Sequence, residues 1–243
     1  MPKKPVKFYF SNYFSEWNWF ELLLLAVSFI IPLTVGIIWG SNAIEIILSI
    51  LLPIAAVLAA KGLFISRIAA LIVGVLYIIV SLGANLYGEV IITAAIFMPI
   101  KIYGLVAWCR NRTKTKDGKA SATVSVSNTT SKELIILFVL HLCLAVGLYF
   151  MLRSFNTAFL WVSVASAVIN SAATWLLSRR SILAFPMYIV LDFVQFALWL
   201  LVFLGGDQGA IALVTSMVLF IVIDTYGMIA WFRMRRKQSE KYD

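Results

Sequence analysis

Residues 102–112 read IYGLVAWCRNR, and residues 225–235 read TYGMIAWFRMR. Both close a long apolar run and share the pattern Tyr-Gly-x-x-Ala-Trp-x-Arg-x-Arg: Tyr103, Gly104, Ala107, Trp108, Arg110 and Arg112, then Tyr226, Gly227, Ala230, Trp231, Arg233 and Arg235. A phrase repeated at the ends of two apolar runs implies two similar helical bundles crossing a membrane in the same direction. In such architectures a ligand site lies between the repeats, which points to transport.

The remainder of the chain is as apolar as these runs. Hydrophobic residues make up 62% of the 243, charged residues 13%, and the mean hydropathy is +0.97. Soluble domains average about 45–50% and about 25%. The net charge of +9 sits at the ends of apolar runs, not in an RNA-reading or helix-turn-helix pattern. The expected partner is therefore the lipid bilayer, and no nucleic acid.

Eight spans are legible: 21–39, 44–60, 68–86, 90–108, 134–152, 158–177, 182–204 and 210–231. Most reach the ~20 residues a helix needs to cross the hydrocarbon core. The second is short, and Pro53 is expected to kink it without ending it. Basic residues mark alternate connections, with Arg153 the exception: Lys3, Lys4 and Lys7, then Lys61 and Arg67, the stretch Arg110 to Lys132, Arg179 and Arg180, and Arg233 to Lys237. The positive-inside rule then places both termini in the cytoplasm.

Aligning the repeated phrase pairs residues 44–112 with 158–235. The expected fold is all-α and membrane-integral. Two parallel three-helix repeats, 44–108 and 158–231, are joined by a connecting transmembrane helix at 134–152. An odd number of helices per repeat makes that connecting crossing necessary. Residues 1–20 form an interfacial segment whose Tyr13, Phe14, Trp17, Trp19 and Phe20 suit a membrane surface. With no apolar core before a small-residue site, no removable signal peptide is expected there. An extra helix at 21–39, a hydrophilic cytoplasmic linker at 109–133 and a basic tail at 232–243 complete the chain. The Ser/Thr/Lys-rich 113–131 is expected to be flexible.

This arrangement resembles the Pnu family of bacterial vitamin transporters, over roughly residues 44–235. Ile65-Ser66, Tyr87-Gly88-Glu89, Tyr103-Gly104, Trp108 and Leu-Ser-Arg-Arg at 177–180 carry the likeness. The family's Trp-x-x-Trp-x-x-x-Asn spacing holds Phe185, Tyr188 and Asp192 here, with Gly74 and Ala94 where amides are common. The resemblance implies a 3+1+3, SWEET-like fold in a bacterial inner membrane. It also implies facilitated diffusion of nicotinamide riboside or a related nucleoside-like compound, with thiamine and deoxynucleosides as alternatives and a cytoplasmic kinase to trap the product. Self-association is left open.

Ionisable residues inside apolar spans are costly and mark candidate sites. Glu45, Lys101, His141, Asp192 and Asp224 are such residues. Asp192 lies ~18 Å along its helix from Arg180, and shares a face with Tyr188 and Gln195. With Phe185, Asn170 and Tyr226 they make the candidate substrate-binding set; the other reading of Asp192 is a structural pairing. Lys101 and Asp224 hold equivalent positions two residues before each Tyr-Gly, so they form either a gating ion pair or separate anchors. His141 suits a proton relay or a single hydrogen bond, and Trp161, Trp175 and Trp199 suit packing. Cys109 and Cys143 define neither a disulfide framework nor a metal site. No catalytic, metal or cofactor constellation is present, so an enzyme is not expected. A channel or membrane scaffold remains the alternative of another class.

Overall fold

The protein is described by a computed structural model covering residues 17–40, 42–83, 87–114, 120–155, 159–205 and 210–240. Its described residues form eight long helices. They are α1 (Trp19–Ile38), α2 (Ala43–Ala60), α3 (Ile65–Gly83), α4 (Tyr87–Arg110), α5 (Ser131–Ser154), α6 (Leu160–Ser178), α7 (Ala184–Leu204) and α8 (Ala210–Ser239). Seven are long and apolar enough to cross a membrane, and α7 contains a shorter apolar stretch over Ala184–Leu198. The interfacial residues Tyr13 and Phe14 lie outside the described residues.

Six helices close a ring. α2 packs on α3, α3 on α4, α4 on α6, α6 on α7, α7 on α8, and α8 back on α2. α1 lies outside against α2 and α8, and α5 lies outside against α6. The outer face of α5 carries Ile135, Phe138, Val139, Leu142 and Phe150, all largely exposed, as a lipid-facing helix requires. α2 continues through Pro53, as expected, because a bilayer helix tolerates the lost N–H where neighbours pack around it. α4 contains a π turn at Thr93–Phe97 that nothing in its sequence announces.

The two turns at the arginine-rich end have the same construction. After α2, Gly62 takes φ 72°; its N–H donates to Ala59 O (2.8 Å), and that of Leu63 donates to Leu58 O (3.0 Å). After α6, Arg180 takes φ 61°, with Arg180 N–H on Leu177 O and Ser181 N–H on Leu176 O, each 2.9 Å. These are left-handed helix stops, ordinarily a glycine's place. Arg180 holds the conformation while its guanidinium donates to the Ser125 carbonyl (3.1 Å) and hydroxyl (2.8 Å).

Ser125 belongs to the segment expected to be flexible, and here the structure corrects the sequence reading. β1 (Arg112–Lys114) and β2 (Ala120–Val124) pair antiparallel. The hairpin then fastens to both turns: Phe64 N–H donates to Ala122 O, Val124 N–H to Gly62 O and Ser127 N–H to Arg180 O. Val124 is fully buried. The segment has too little apolar surface for a core of its own, but it satisfies backbone groups that the two turns expose.

Candidate transport site between the helices

Each repeated tryptophan reaches across the ring. The Trp108 indole N–H of α4 donates to Leu177 O near the end of α6 (2.9 Å), and that of Trp231 in α8 donates to Ala59 O near the end of α2 (3.0 Å). The two rings lie 5.7 Å apart and are fully buried. The repeated glycines sit on the last residues of the same two helices. A Cβ on Gly104 would meet Ser178 Oγ at 2.5 Å, and one on Gly227 would meet Ala60 Cβ at 3.1 Å and collide with the Phe185 ring. With Phe185 on Trp231 (5.3 Å), these side chains plug the arginine-rich end.

Outside the plug are two matching ionic clusters. In one, Glu21 of α1 accepts from Lys61 Nζ (2.5 Å), the Tyr226 hydroxyl (2.5 Å) and the Asn18 N–H (2.9 Å). In the other, Glu133 of α5 accepts two bonds from Arg179, at 2.7 and 3.2 Å, and Arg179 reaches the Tyr103 hydroxyl at 3.5 Å. Glu21 and Glu133 each stand three residues after a helix N-cap, Asn18 and Thr130. Lys61 and Arg179 occupy the same place in the two turns, and Tyr226 and Tyr103 open the repeated phrase.

Further from the arginine-rich end, five helices line a partly open cavity of about 250 Å³. Glu89, Thr93, Phe97 and Lys101 line it as one stripe of α4, with the π turn in its wall. Ser163, Ser166 and Asn170 of α6 face it, joined by Tyr77 of α3, Gln195 of α7 and Leu52 of α2. Tyr77 donates to Glu89 Oε2 (3.1 Å), and Gln195 Nε2 donates to Ser166 Oγ (2.7 Å). The Thr93 hydroxyl is buried with no hydrogen-bond partner. Unpaired buried polar groups are costly, and a ligand with several hydroxyls would offset that cost. A larger hollow of about 460 Å³ lies in the groove between α5 and the α4–α6 pair, lined by Ile100, Ile136, Leu140, His141 and Trp175. Its apolar, open form suits an acyl chain better than a polar solute.

The structure divides the candidate substrate-binding set. Asn170 and Gln195 line the cavity. Tyr188 stands behind it, its hydroxyl 3.1 Å from Thr174 Oγ1, which donates to Asn170 Oδ1 (3.2 Å). Phe185 belongs to the plug, and Tyr226 to the Glu21 cluster. Asp192 is buried outside the cavity lining, and its carboxyl adjoins that of Asp224 on α8. The expected Lys101–Asp224 ion pair is not formed. The aspartate faces Asp192, while Lys101 turns into the cavity beside Gly74. Glu45 is a cap: its carboxylate accepts the Asn42 N–H at the start of α2 (3.1 Å). His141 makes the structural link, with Nδ1 2.8 Å from Leu137 O and Nε2 3.2 Å from Ser171 Oγ. Trp175 stacks on Tyr103 and Trp161 on Tyr149, both as packing; the Trp199 side chain lies outside the described residues.

Two adjoining carboxyls in a membrane repel unless a proton bridges them. Asp192→Asn is therefore expected to stabilise the protein by about 1–2 kcal/mol, because the amide donates to Asp224 without needing that proton. Ligand affinity should stay within about twofold. A lowered melting temperature together with lost binding would return Asp192 to the ligand site.

Glu89, Tyr77, Thr93 and Ser166 were not among the sequence-derived candidates. Glu89 stands near a helix start, where a carboxylate is commonplace. The others are polar residues that only the ring's closure brings together.

Relatives share this fold. A nicotinamide riboside transporter PnuC of Neisseria mucosa is 19% identical over 226 residues, covering 93% of this chain and 86% of that protein. The crystal structure of the vitamin B3 transporter PnuC superposes with a TM-score of 0.79 at 18% identity, covering 96% of this chain and 99% of that one, so the fold is shared. These relatives are transporters, not enzymes. A family model described as nicotinamide mononucleotide transporter matches residues 42–233. Running from the start of α2 through the first repeated phrase and into the second as far as Arg233, that match makes the chain a multi-pass member of this family of membrane transporters.

Proposed function

We propose that the protein takes up a pyridinium riboside, nicotinamide riboside or a close relative, by facilitated diffusion across a bacterial inner membrane. The observation that carries this reading is the cavity between the helices with Glu89 and Tyr77 in its wall, beside Asn170, Gln195 and the unpaired Thr93 hydroxyl. A carboxylate accepts ribose hydroxyls well, and in a low dielectric its charge offsets a pyridinium several Å away. The names of the relatives support the same substrate class. Thiamine is the second cationic reading, and a deoxynucleoside the neutral one.

The mechanism follows from two parallel three-helix repeats, α2–α4 and α6–α8, rocking about the cavity with α5 crossing between them. The exchanged Trp108 and Trp231 bonds and the twin turns support that relation. The arginine-rich end, with both termini, faces the cytoplasm, where a kinase would make uptake one-way. In this state the tryptophan plug and the Glu21 and Glu133 clusters hold that end shut, and release requires them to part. Saturable uptake of labelled nicotinamide riboside into liposomes by the purified protein tests the function. Flux that does not saturate would indicate a pore, and no flux of any candidate a scaffold.

The clusters predict a gating phenotype. In a protein with Cys109 and Cys143 replaced by Ala, a cysteine at the fully buried Ser66 reports opening of the arginine-rich end. Glu21→Gln with Glu133→Gln should raise its labelling rate by a membrane-impermeant maleimide about tenfold, as loss of one or two charged hydrogen bonds shifts the population. An unchanged rate would mean that the clusters do not hold the gate.

A further inference from the structure

We propose that Lys101 makes this cavity select a ligand with a small acidic group: a pyridinium riboside whose ring bears a carboxylate in place of a carboxamide. This rests on the riboside reading above and narrows it.

The lysine occupies space that a missing side chain leaves. A Cβ built on Gly74 of α3 would stand 2.6 Å from Met98 Sδ and 3.4 Å from Lys101 Nζ. Glycine at 74 therefore gives the ammonium room between α3 and α4, where it lines the cavity with Asn170. No carboxylate among the described residues lies within 4.0 Å of Lys101 or of its charged neighbour Arg67. Arg67 is buried, with its guanidinium 4.6 Å over the Trp108 ring and one long contact, 3.4 Å, to Ser66 Oγ. Asp192 and Asp224 adjoin each other, with Asp192 Oδ2 buried and lacking a hydrogen-bond partner, and neither forms an ion pair among the described residues.

This end of the cavity thus presents an uncompensated cation backed by a second. An uncharged carboxamide on a pyridinium ring brings a third positive charge toward the pair and offers no anion in return. The ring carboxylate is the same size, forms a charge-assisted hydrogen bond with the ammonium and leaves the ligand neutral overall. The ribose then lies toward Glu89 and Tyr77, whose acceptor capacity suits its hydroxyls. A phosphate on the ribose is the other source of an anion. The ring carboxylate needs no volume beyond that of the riboside itself, and the mononucleotide arm of the experiment separates the two sources.

Calorimetry on the purified full chain decides the matter, with nicotinate riboside, nicotinamide riboside and nicotinamide mononucleotide against wild type, Lys101→Met and Lys101→Arg. Wild type should bind nicotinate riboside about tenfold more tightly than the amide, the scale of one charged hydrogen bond. Lys101→Met should erase that preference and Lys101→Arg should keep it. The methionine variant removes an unpaired charge, so it should fold; an unchanged melting temperature and elution profile check this. Should it fail to fold, the wild-type and Lys101→Arg preferences decide alone. A wild type that prefers the amide, or a folded methionine variant that still prefers the acid, overturns the proposal and leaves the riboside function standing. Tightest binding of the mononucleotide, dependent on Lys101, overturns the ring-carboxylate assignment in favour of a phosphate. Binding of none of the three ends the riboside reading, and this proposal with it.

Discussion

Replacing Glu89 by Gln is expected to weaken binding of a pyridinium riboside by about 10–100-fold, the loss of a charged hydrogen bond worth about 1.5–3 kcal/mol. Glu89 is the one carboxylate in the cavity wall among the described residues, and it is held in place by the Tyr77 hydroxyl at 3.1 Å. The glutamine keeps the shape and can still accept from Tyr77, so the fold should survive and the measured change should be in affinity. A neutral deoxynucleoside should lose less, because only its hydroxyl contacts weaken. Calorimetry with both ligand types separates the cases. Equal, small losses for both would mean that the charge of Glu89 does not act on the substrate.

Trp231→Ala and Trp108→Ala are each expected to destabilise the protein by about 3–5 kcal/mol, the usual cost of emptying a buried aromatic site. Each substitution also removes the indole donor from a buried carbonyl, that of Ala59 or of Leu177, which keeps only the backbone N–H of its turn, Gly62 or Arg180. The two rings adjoin, so the double variant should cost less than the sum of the singles. Denaturation in detergent gives the three values. A loss below about 1 kcal/mol in either single variant would mean that the crossed bonds do not hold the two halves together.

The helices were legible because lipid demands long apolar runs with basic ends, and α1 to α8 fall where composition changes. The residues of the repeated phrase lie at close contacts, Gly104 and Trp108 where α4 meets α6, and Gly227 and Trp231 where α8 meets α2. Side-chain partners were less legible. Asp192 and Lys101 both had the features of intramembrane functional groups, yet helix rotation gives Asp192 to Asp224 and Lys101 to the cavity. Periodicity states which residues share a face; it does not state which neighbour that face meets. The hairpin at 112–124 was hidden for a related reason. Its order comes from the two turns it covers, over fifty residues apart in sequence, and its own composition is that of a linker.

The matching positions of Glu21 and Glu133 change how the chain can be divided. α1 stands to the α2–α3 turn and Tyr226 as α5 stands to the α6–α7 turn and Tyr103. By this measure α1 is placed as α5 is, and the same eight helices can also be cut into two units of four, α1–α4 and α5–α8. An even-numbered unit ends on the side of the membrane where it began. Copying it head to tail yields a second unit in the same orientation, with no separate linker helix to be acquired. A gene encoding α1–α4 alone would then specify a half-transporter able to pair with itself, its glutamate clamping its own turn and its tryptophan capping the partner.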